Sequence, residues 1–528
     1  MAENITNVRL LYVPLDNEYK HTLYFADKTA QYNYFSGVSV TKSFNDFSYQ
    51  RKDSRLRVNL SFDEALKYNY VMYQNTAYNN KWFYAFITDY EWKNEDVTEL
   101  TLETDVLQTW QFDITIKPSF VEREHTKDDS IGSNTIPENL EMGEYVIKNV
   151  NKVTKLTDFV IIVACTEAPK KFYGDNTELA NVYGIPGNYN GIYSGLAYFR
   201  FGTTSADINI LNTFLKSFDD SSAVKCIFLY PKDLIETQGE FILKSNEPKT
   251  ITHIVTKAVA FDYNAPEYYN PKNKKLLSYP YIYLLASNNN GGSAIYQYEH
   301  FSSDIITFNV ESALTPGGSI RLIPQYYKGV VANHEEGLNL GKFPICNWTS
   351  DEFTNWLTQN SVNIGLNLVS GLGQIIAGGA IAVGSGGLGM AVGGSSIVGG
   401  VSSITNQLAQ IHQMSFTPPQ SNGNINCGDV ITSSLENTFT FYSMTIKPEY
   451  MRIIDEYLSA YGYKTNRIKI PEKAHRKSWW FTKTIDINIT GQIPIGDMEK
   501  IKSCYNNGLT FWRNASEMKN YSLSNEII

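Results

Sequence analysis

Cysteine is scarce in this chain. Five cysteines are scattered through 528 residues, and no two of them form a Cys-x-x-Cys pair. Neither a zinc site nor a disulfide framework is therefore indicated, and we expect the chain to fold in a reducing cytoplasm. Residues 1–20 carry charges throughout and contain no apolar run, so no secretory signal is expected.

An excess of positive charge is also lacking. The chain has 45 Lys and Arg residues against 54 Asp and Glu residues, which gives a net charge of −9. Proteins that bind nucleic acid regardless of sequence neutralise phosphates with Lys and Arg, so this class is disfavoured. An acidic surface does suit a channel through which DNA slides, because like charges repel. Ordinary solubility charge explains the same acidic balance at least as well.

Motifs of enzymes, metal sites and cofactor sites are missing. Residues 337–342 (GLNLGK) have the wrong spacing for a P-loop, and Ser385 lacks the strand-to-helix elbow of a nucleophilic serine. The seven histidines do not cluster at metal-ligand spacing. No metal, no cofactor and no catalytic residue is predicted from these patterns.

Two groups of charged residues leave alternatives open. Four carboxylates could pair for hydrolysis of wall glycans, but carboxylates close together in sequence are common, and a solvated loop explains them better. They are Glu122, Glu124, Asp128 and Asp129. Four basic residues next to two tryptophans are compatible with nucleic-acid stacking, with a strand edge or with a subunit contact. These are Lys469, Lys473, Arg476 and Lys477, beside Trp479 and Trp480.

Charged residues are absent from residues 353–428, although 19% of the chain is charged. About a third of the 36 glycines lie in residues 365–400 of this tract. Its core, residues 361–411, is apolar, uncharged and rich in glycine. Such a segment is compatible with a membrane-active loop, a buried plug or packing element, or a disordered linker.

The free-energy balance favours a loop that inserts into lipid only as several copies. About fourteen Leu, Ile and Val residues contribute roughly −0.3 to −0.6 kcal/mol each at membrane depth. About a dozen glycines oppose insertion at roughly 1 kcal/mol each. A single copy therefore gains no net free energy. The residues predicted to contact lipid are Ile364, Leu368, Leu372, Ile375, Ile376, Ile381, Val383, Leu388, Val392, Ile397 and Val398.

Small residues recur every fourth position in the same tract. They are Gly387, Ala391, Ser395 and Gly399. Ladders of this kind let two helices approach closely in lipid, although the pattern arises easily where glycine is abundant. We expect these four residues to pack against neighbouring helices.

The regions that flank the tract predict a mainly β protein with α+β parts. Strands are predicted within residues 10–13, 55–60, 81–87 and 97–107, and again at 438–447 and 479–489. A helix is predicted over residues 63–74 after Ser61. Another is predicted over residues 447–461, where Pro448 lies in the first turn and Gly462 marks the end of the helix.

Several long runs resemble the distal tail, or tail-knob, proteins of small short-tailed phages of Gram-positive bacteria, the picovirus-like podoviruses. They are residues 75–86 (NTAYNNKWFYAF), 105–113 (DVLQTWQFD), 119–125 (SFVEREH), 461–467 (YGYKTNR), 507–512 (NGLTFW) and 521–526 (YSLSNE). The runs lie at both ends of the chain, with the uncharged tract between them. The region between residues 126 and 345 carries no comparable similarity and is shorter than in that family.

The resemblance implies a virion structural protein at the tip of the tail, made in the host cytoplasm. Tail-tube-like β-barrel domains would form a hollow homohexamer that conducts DNA. The implied regions are a tube-forming β region (1–125), an inserted knob region (126–345), the uncharged loop (346–428) and a tube-forming α+β region (429–528). The loop would plug the lumen and then help penetrate the host membrane for genome ejection. Other tail proteins and that membrane are the implied partners.

Two rival functions remain open. In a tail-associated cell-wall hydrolase, the glycine-rich tract would be a linker, and a carboxylate elsewhere in the chain would be the catalyst. No carboxylate stands out for that role, so we expect the protein not to be an enzyme. A secreted pore-forming toxin is disfavoured by the missing signal segment.

Overall fold

The computed structural model describes most of the chain outside the uncharged tract. The described residues are 6–39, 41–47, 54–76, 79–153, 159–165, 197–202, 204–218, 224–238, 242–246, 249–252, 255–289, 291–312, 320–339, 345–347 and 438–528. Residues 353–428, and with them every residue predicted to contact lipid or to pack closely, lie outside the described residues. Within the described part, none of the helices combines the length and the apolar character that crossing a bilayer requires.

Strands dominate the described residues. They are β1 (Thr6–Leu11), β2 (His21–Leu23), β3 (Thr41–Phe47), β4 (Arg55–Val58), β5 (Tyr70–Asn75), β6 (Trp82–Asn94), β7 (Val97–Thr104), β8 (Ile114–Ile116), β9 (Ser119–Glu124), β10 (Tyr145–Lys152), β11 (Phe159–Cys165), β12 (Ala197–Phe201), β13 (Val224–Pro231), β14 (Ile235–Gln238), β15 (Ile242–Asn246), β16 (Lys249–Thr252), β17 (Ile282–Ser287), β18 (Ser293–Tyr296), β19 (Thr307–Ser312), β20 (Ile320–Tyr327), β21 (Val330–Ala332), β22 (Leu338–Asn339), β23 (Ile345–Asn347), β24 (Thr440–Ile446), β25 (Tyr463–Lys469), β26 (Trp479–Ile485), β27 (Ile489–Gly491) and β28 (Leu509–Trp512).

Helices are fewer and mostly short. They are α1 (Lys28–Ser36), α2 (Phe62–Ala65), α3 (Val106–Trp110), α4 (Ser205–Lys216), α5 (Lys257–Ala260), α6 (Pro448–Tyr461) and α7 (Ile495–Asn507). Short 3-10 helices cover Lys232–Leu234, Lys274–Leu277, Tyr298–His300 and Ala515–Glu517. The chain is thus mainly β with α+β parts, as the sequence predicts, and it contains a curled half-barrel sheet.

Two compact units divide the chain. The terminal unit comprises Met1–Gly143, Asn264–Pro280 and Lys447–Ile528. The insert unit comprises Glu144–Tyr263 and Tyr281–Ile446. Both ends of the chain therefore belong to one unit, and the chain passes through it three times.

The terminal unit contains two large sheets over a common core. The first is six-stranded in the order β3-β1-β5-β6-β7-β4, and all of its strands come from the N-terminal region. The second is five-stranded in the order β2-β28-β26-β9-β25. Buried side chains of both chain ends pack in one cluster, for example Leu10 and Leu100 with Ile501, Leu509 and Trp512.

The second sheet interleaves the two chain ends. The N-terminal strand β9 lies between the C-terminal strands β26 and β25 and pairs antiparallel with both. At the other side of the sheet, the N-terminal β2 pairs parallel with the C-terminal β28. Because a strand without its neighbours leaves its backbone N–H and C=O groups unpaired, neither chain end can complete this sheet alone.

Strands β8 and β27 form a further two-stranded sheet in the terminal unit, and the insert unit carries the other three sheets of the described residues. Their strand orders are β10-β24-β17-β18, β14-β15-β12-β11-β13-β23 and β16-β19-β20-β21, with β22 also paired to β20. The Phe308 and Phe441 rings of two of these sheets lie 4.9 Å apart. Helix α4 begins at a capping box between Thr204 and Asp207. For residues 126–345 the sequence predicts no role beyond that of an inserted knob region.

Most predicted elements are confirmed, but one helix prediction is wrong. The sequence predicts a helix over residues 63–74, whereas the structure has one short turn, α2, followed by strand β5. Ser61 makes no side-chain capping bond to that turn. Residues Tyr70–Asn75 lie between β1 and β6, and four consecutive side chains from Tyr70 to Tyr73 are buried. Burial on both faces of a central strand outweighs local helix propensity.

The sequence also predicts the end of strand β7 three residues too late. Strand β7 ends at Thr104, and not at residue 107, because Asp105 begins helix α3. The Asp105 carboxylate accepts hydrogen bonds from the Leu107 and Gln108 backbone N–H groups, each at 3.1 Å. This is the N-cap arrangement, and it turns the chain out of the strand.

The end of helix α6 gives a direct test of the fold. Gly462 has φ +66°, and a Cβ there would lie 2.3 Å from the Glu124 backbone of β9. We expect Gly462→Ala to lower the free energy of unfolding by more than about 1 kcal/mol, because alanine is strained at this φ and has no room. Denaturant unfolding followed by tryptophan fluorescence measures the loss.

Gly496→Ala is the matched control. A Cβ at Gly496, in the first turn of α7, has no other atom within 4 Å. Alanine is favoured over glycine in a helix, so stability should stay equal or rise slightly. Equal losses in the two variants would contradict the close approach of α6 to β9.

Candidate functional site in the terminal unit

The terminal unit contains a buried ionic cluster that joins three distant parts of the chain. Glu138 is fully buried at its carboxylate, which contacts both the Arg123 guanidinium and the Lys275 ammonium. It also accepts the Lys464 backbone N–H at 2.9 Å. The Arg123 guanidinium in turn donates to the Gly462 carbonyl at 2.7 Å. Burial lowers the pKa of Lys275, and the adjacent Glu138 carboxylate opposes this effect.

Asp455 anchors the segment that returns from the insert unit. Its carboxylate accepts hydrogen bonds from the Tyr269 hydroxyl and the Lys272 N–H, each at 2.8 Å, and from the Asn273 N–H at 3.0 Å. Asn273 also donates to the Ser459 hydroxyl at 2.8 Å. Asp455 is 1% exposed, so these donors replace the water that it loses on folding.

His125 connects strand β9 to its neighbours while remaining neutral. Its Nδ1 accepts the Phe481 N–H at 2.8 Å, which leaves Nε2 to donate to the Ser459 carbonyl at 3.2 Å. Burial, together with the charge of Arg476, lowers the pKa of His125 to about 3. The Trp479 indole N–H donates to the same carbonyl at 2.9 Å.

The last residues of the chain lie across strand β26. The Asn525 side chain accepts the Ser478 and Trp479 N–H groups, each at 3.1 Å, and donates to the Trp479 carbonyl at 2.8 Å. The Tyr521 ring packs 5.3 Å from the rings of Trp479 and Trp512. We call residues 521–528 the C-terminal segment. Residues of this segment line a cavity of about 590 Å³.

An apolar row is exposed on the sheet that interleaves the chain ends. Ile468 of β25 and Ile485 of β26 both pair in register with Phe120 of β9 between them. Ile468 is 76% exposed and Ile485 is 55% exposed. Strand β25 lies at the edge of its sheet. Exposed apolar side chains beside an open sheet edge are typical of a surface that another chain covers.

Comparison with known proteins identifies the family. A family model described as the C-terminal domain of tail knob protein gp9 of Bacillus phage phi29 matches residues 243–526, which is more than half of the chain. The chain belongs to this tail-knob family. The resemblance that the sequence indicates is therefore confirmed, and the chain is a structural component of a phage tail.

Further comparisons extend the likeness over the whole tail-knob chain. A second model, the caudoviral major tail protein N-terminus, matches residues 4–115. The tail knob protein gp9 of Bacillus phage B103 is 28% identical, and that of Bacillus phage PZA 27% identical, each over 99% of this chain and 98% of the relative. The structure of the bacteriophage C1 tail knob protein gp12 matches with TM-score 0.62 and 14% sequence identity. The match covers 99% of this chain and 100% of that chain, and at this identity it shows a likeness of fold alone.

The four carboxylates considered for hydrolysis are each engaged by neighbours in the tail-knob fold. Glu124 is buried against Lys469 at 2.6 Å, and Glu122 lies 2.9 Å from Lys483. Asp128 accepts from the Ser130 N–H at 2.8 Å, and Asp129 accepts from the Tyr463 hydroxyl. Among the described residues, no group of three or more acidic, His or Cys side chains is arranged to hold a metal ion.

The basic residues near Trp479 and Trp480 do not form a stacking platform. Both indoles are buried, at 0% and 1% exposure, so neither can stack on a base. The Lys469 ammonium pairs with Glu124 and Glu472 at 2.6 and 2.7 Å. Of the alternatives left open by the sequence, nucleic-acid stacking is therefore excluded for this pair of tryptophans.

The buried cluster around Glu138 and the anchor at Asp455 are not predicted by the sequence patterns. A signal for Asp455 does exist, because it shares the buried face of α6 with Met451, Ile454 and Leu458 at helical spacing. A carboxylate on an apolar helix face requires buried partners. Those partners lie more than 180 residues away along the chain, where sequence spacing gives no information.

Removal of the Glu138 charge tests the buried cluster. Glu138→Gln leaves Arg123 and Lys275 buried without a counter-charge, so we expect the free energy of unfolding to fall by about 3–5 kcal/mol. Glu122→Gln, which removes the more exposed pair with Lys483, should cost about 1 kcal/mol or less. Urea unfolding of both variants measures the difference, and equal costs would contradict the assigned role of Glu138.

Proposed function

We propose that this tail-knob family member is one subunit of a hollow tail tube and knob that conducts DNA. In this proposal the subunits form a homohexamer at the tip of the virion tail, next to other tail proteins. The similarity to tail knob proteins over 99% of the chain is the observation that carries the proposal. The terminal unit, built from both chain ends, would supply the wall of the tube.

The exposed row on the second sheet supports self-association. Ile468, Phe120 and Ile485 run side by side across three strands, and Ile470 beyond them is 53% exposed. Apolar area of this kind gains about 25 cal/mol per Å² when a neighbour covers it. In a ring, a second copy of the chain is available to cover this surface on every subunit.

The acidic balance of the chain supports passage of DNA without capture. A net charge of −9 on each subunit multiplies in a ring, and the summed field repels phosphates from the wall. DNA would then slide through the lumen and leave it without forming specific contacts.

The uncharged tract, residues 353–428, would plug the lumen before infection and help penetrate the host membrane during genome ejection. It carries no charged side chain to oppose entry into lipid. One copy gains little from insertion, because its glycines oppose its Leu, Ile and Val residues. Several copies in a ring would shield one another until release and would then insert together.

Assembly can be tested with the purified full-length chain. We expect rings or short tubes by electron microscopy and a matching oligomer in mass photometry. Ile468→Asp should shift the population toward monomer, because a carboxylate cannot be buried unpaired in the contact. The circular dichroism spectrum should stay unchanged.

Ile495→Asp provides the control for this substitution. Ile495 is 82% exposed in the first turn of α7 and is not part of the apolar row, and an acidic residue is favoured at that position. Its variant should assemble like the unmodified chain. A chain that stays monomeric at assembly concentrations, without rings or tubes, would contradict the proposal.

Release of a dye from liposomes tests the role of the tract. The intact protein should release the dye, whereas a variant that lacks residues 361–411 should not, since the apolar residues are removed. Electron microscopy of the same variant checks that it still assembles. Equal leakage from both proteins would end the membrane part of the proposal.

A further inference from the structure

The outer half of strand β6 is an open sheet edge in the terminal unit. Strand β5 pairs with β6 only as far as Phe86, whereas β7 follows β6 to Asn94. Residues 88–94 therefore have a strand neighbour on one side only among the described strands. Most of these residues are exposed, and Trp92 is 59% exposed. An open edge with an exposed tryptophan favours pairing with another chain.

This edge and the hairpin turn next to it are acidic. Residues 88–98 contain four carboxylates and one lysine, and that lysine, Lys93, pairs with Glu91 at 2.5 Å. The other three carboxylates are exposed and form no ion pair with any described side chain. They are Asp89, Glu95 and Asp96. The outer half of β6 therefore presents unbalanced negative charge beside Trp92.

The edge strand β25 has the opposite charge. It contains three basic residues and no acidic residue. The Lys469 ammonium already pairs with Glu124 and Glu472, which leaves the exposed Arg467 to meet a carboxylate of another chain. The next residue, Ile468, is 76% exposed. Strand β25 is thus basic and apolar where the outer half of β6 is acidic and aromatic.

The charges decide which edges can pair between copies. Two β25 strands side by side would bring basic side chains together, and two β6 edges would bring carboxylates together, which is unfavourable. Strand β25 against the outer half of β6 sets opposite charges face to face. Because the two edges belong to different sheets of the subunit, such a contact runs head to tail, and head-to-tail contacts can close into rings.

We propose that β25 of one copy pairs edge to edge with the outer half of β6 of the next copy. This inference rests on the proposed assembly of the chain and names the two surfaces that meet in it. Trp92 of one copy then lies beside Ile468 of its neighbour and extends the apolar row that Ile468 forms with Phe120 and Ile485. Burial of these side chains stabilises the contact, and the charge pattern selects the partner edge.

Mixing two variants tests the pairing. Trp92→Asp disables the β6 edge and Ile468→Asp disables the β25 edge. Each variant alone should be monomeric in native mass spectrometry at concentrations at which the unmodified chain is assembled. An equimolar mixture should form pairs with one copy of each variant, because each supplies the edge that the other has lost. No larger assembly is expected, since both outer edges of that pair are substituted.

Tyr12→Asp is the matched control. Tyr12 is also 59% exposed and lies outside both edges, directly after β1. Its variant should assemble like the unmodified chain, and circular dichroism checks that all three variants are folded.

The outcomes separate this inference from the proposed function. An unmodified chain that does not assemble contradicts the proposed function, and this inference with it. If the unmodified chain assembles, four results overturn this inference alone. They are rings formed by Trp92→Asp, homodimers of either edge variant, a mixture that stays monomeric, and an equal loss of assembly in Tyr12→Asp.

Discussion

The position of strand β9 is the constraint on which the rest of the terminal unit depends. This N-terminal strand lies between β25 and β26 of the C-terminal region, and it pairs with both of them. The sheet therefore cannot form until residues more than 330 positions apart along the chain have met. The entropic cost of closing a loop rises only slowly with the length of the loop, so a long insert between the paired strands is tolerated.

The buried polar groups specify how the partners of β9 come together. Arg123 of β9 contacts Glu138, which also holds Lys275 from the segment between the two parts of the insert unit. Asp455 holds the same segment from helix α6. Ionic clusters of this kind are weak evidence for stability, but a wrong register would leave charges buried without partners. The terminal unit thus has one well-defined arrangement, which suits a subunit repeated in a tube.

Local patterns in the sequence predict much of the fold but little of the site. Helix α6 could be predicted because Pro448 and Gly462 mark its two ends, and an amphipathic pattern lies between them. Strand β5 could not be predicted, because its conformation depends on burial between β1 and β6. No short stretch of sequence contains that information. The cluster around Glu138 and the interleaving of β9 are likewise contacts between distant residues. The uncharged tract is the opposite case, since composition alone singles it out, and its role in lipid stays a prediction.

Hydrogen exchange as a function of denaturant tests most directly whether both chain ends form one cooperative unit. The amides of the N-terminal sheet (β1, β5, β6) and of the C-terminal strands (β25, β26, β28) should open with the same free energy and the same denaturant dependence. The reason is that both chain ends contribute to one core, and that the N-terminal strand β9 pairs with β25 and β26. Opening of the C-terminal strands at clearly lower free energy, with the N-terminal sheet still protected, would contradict the account.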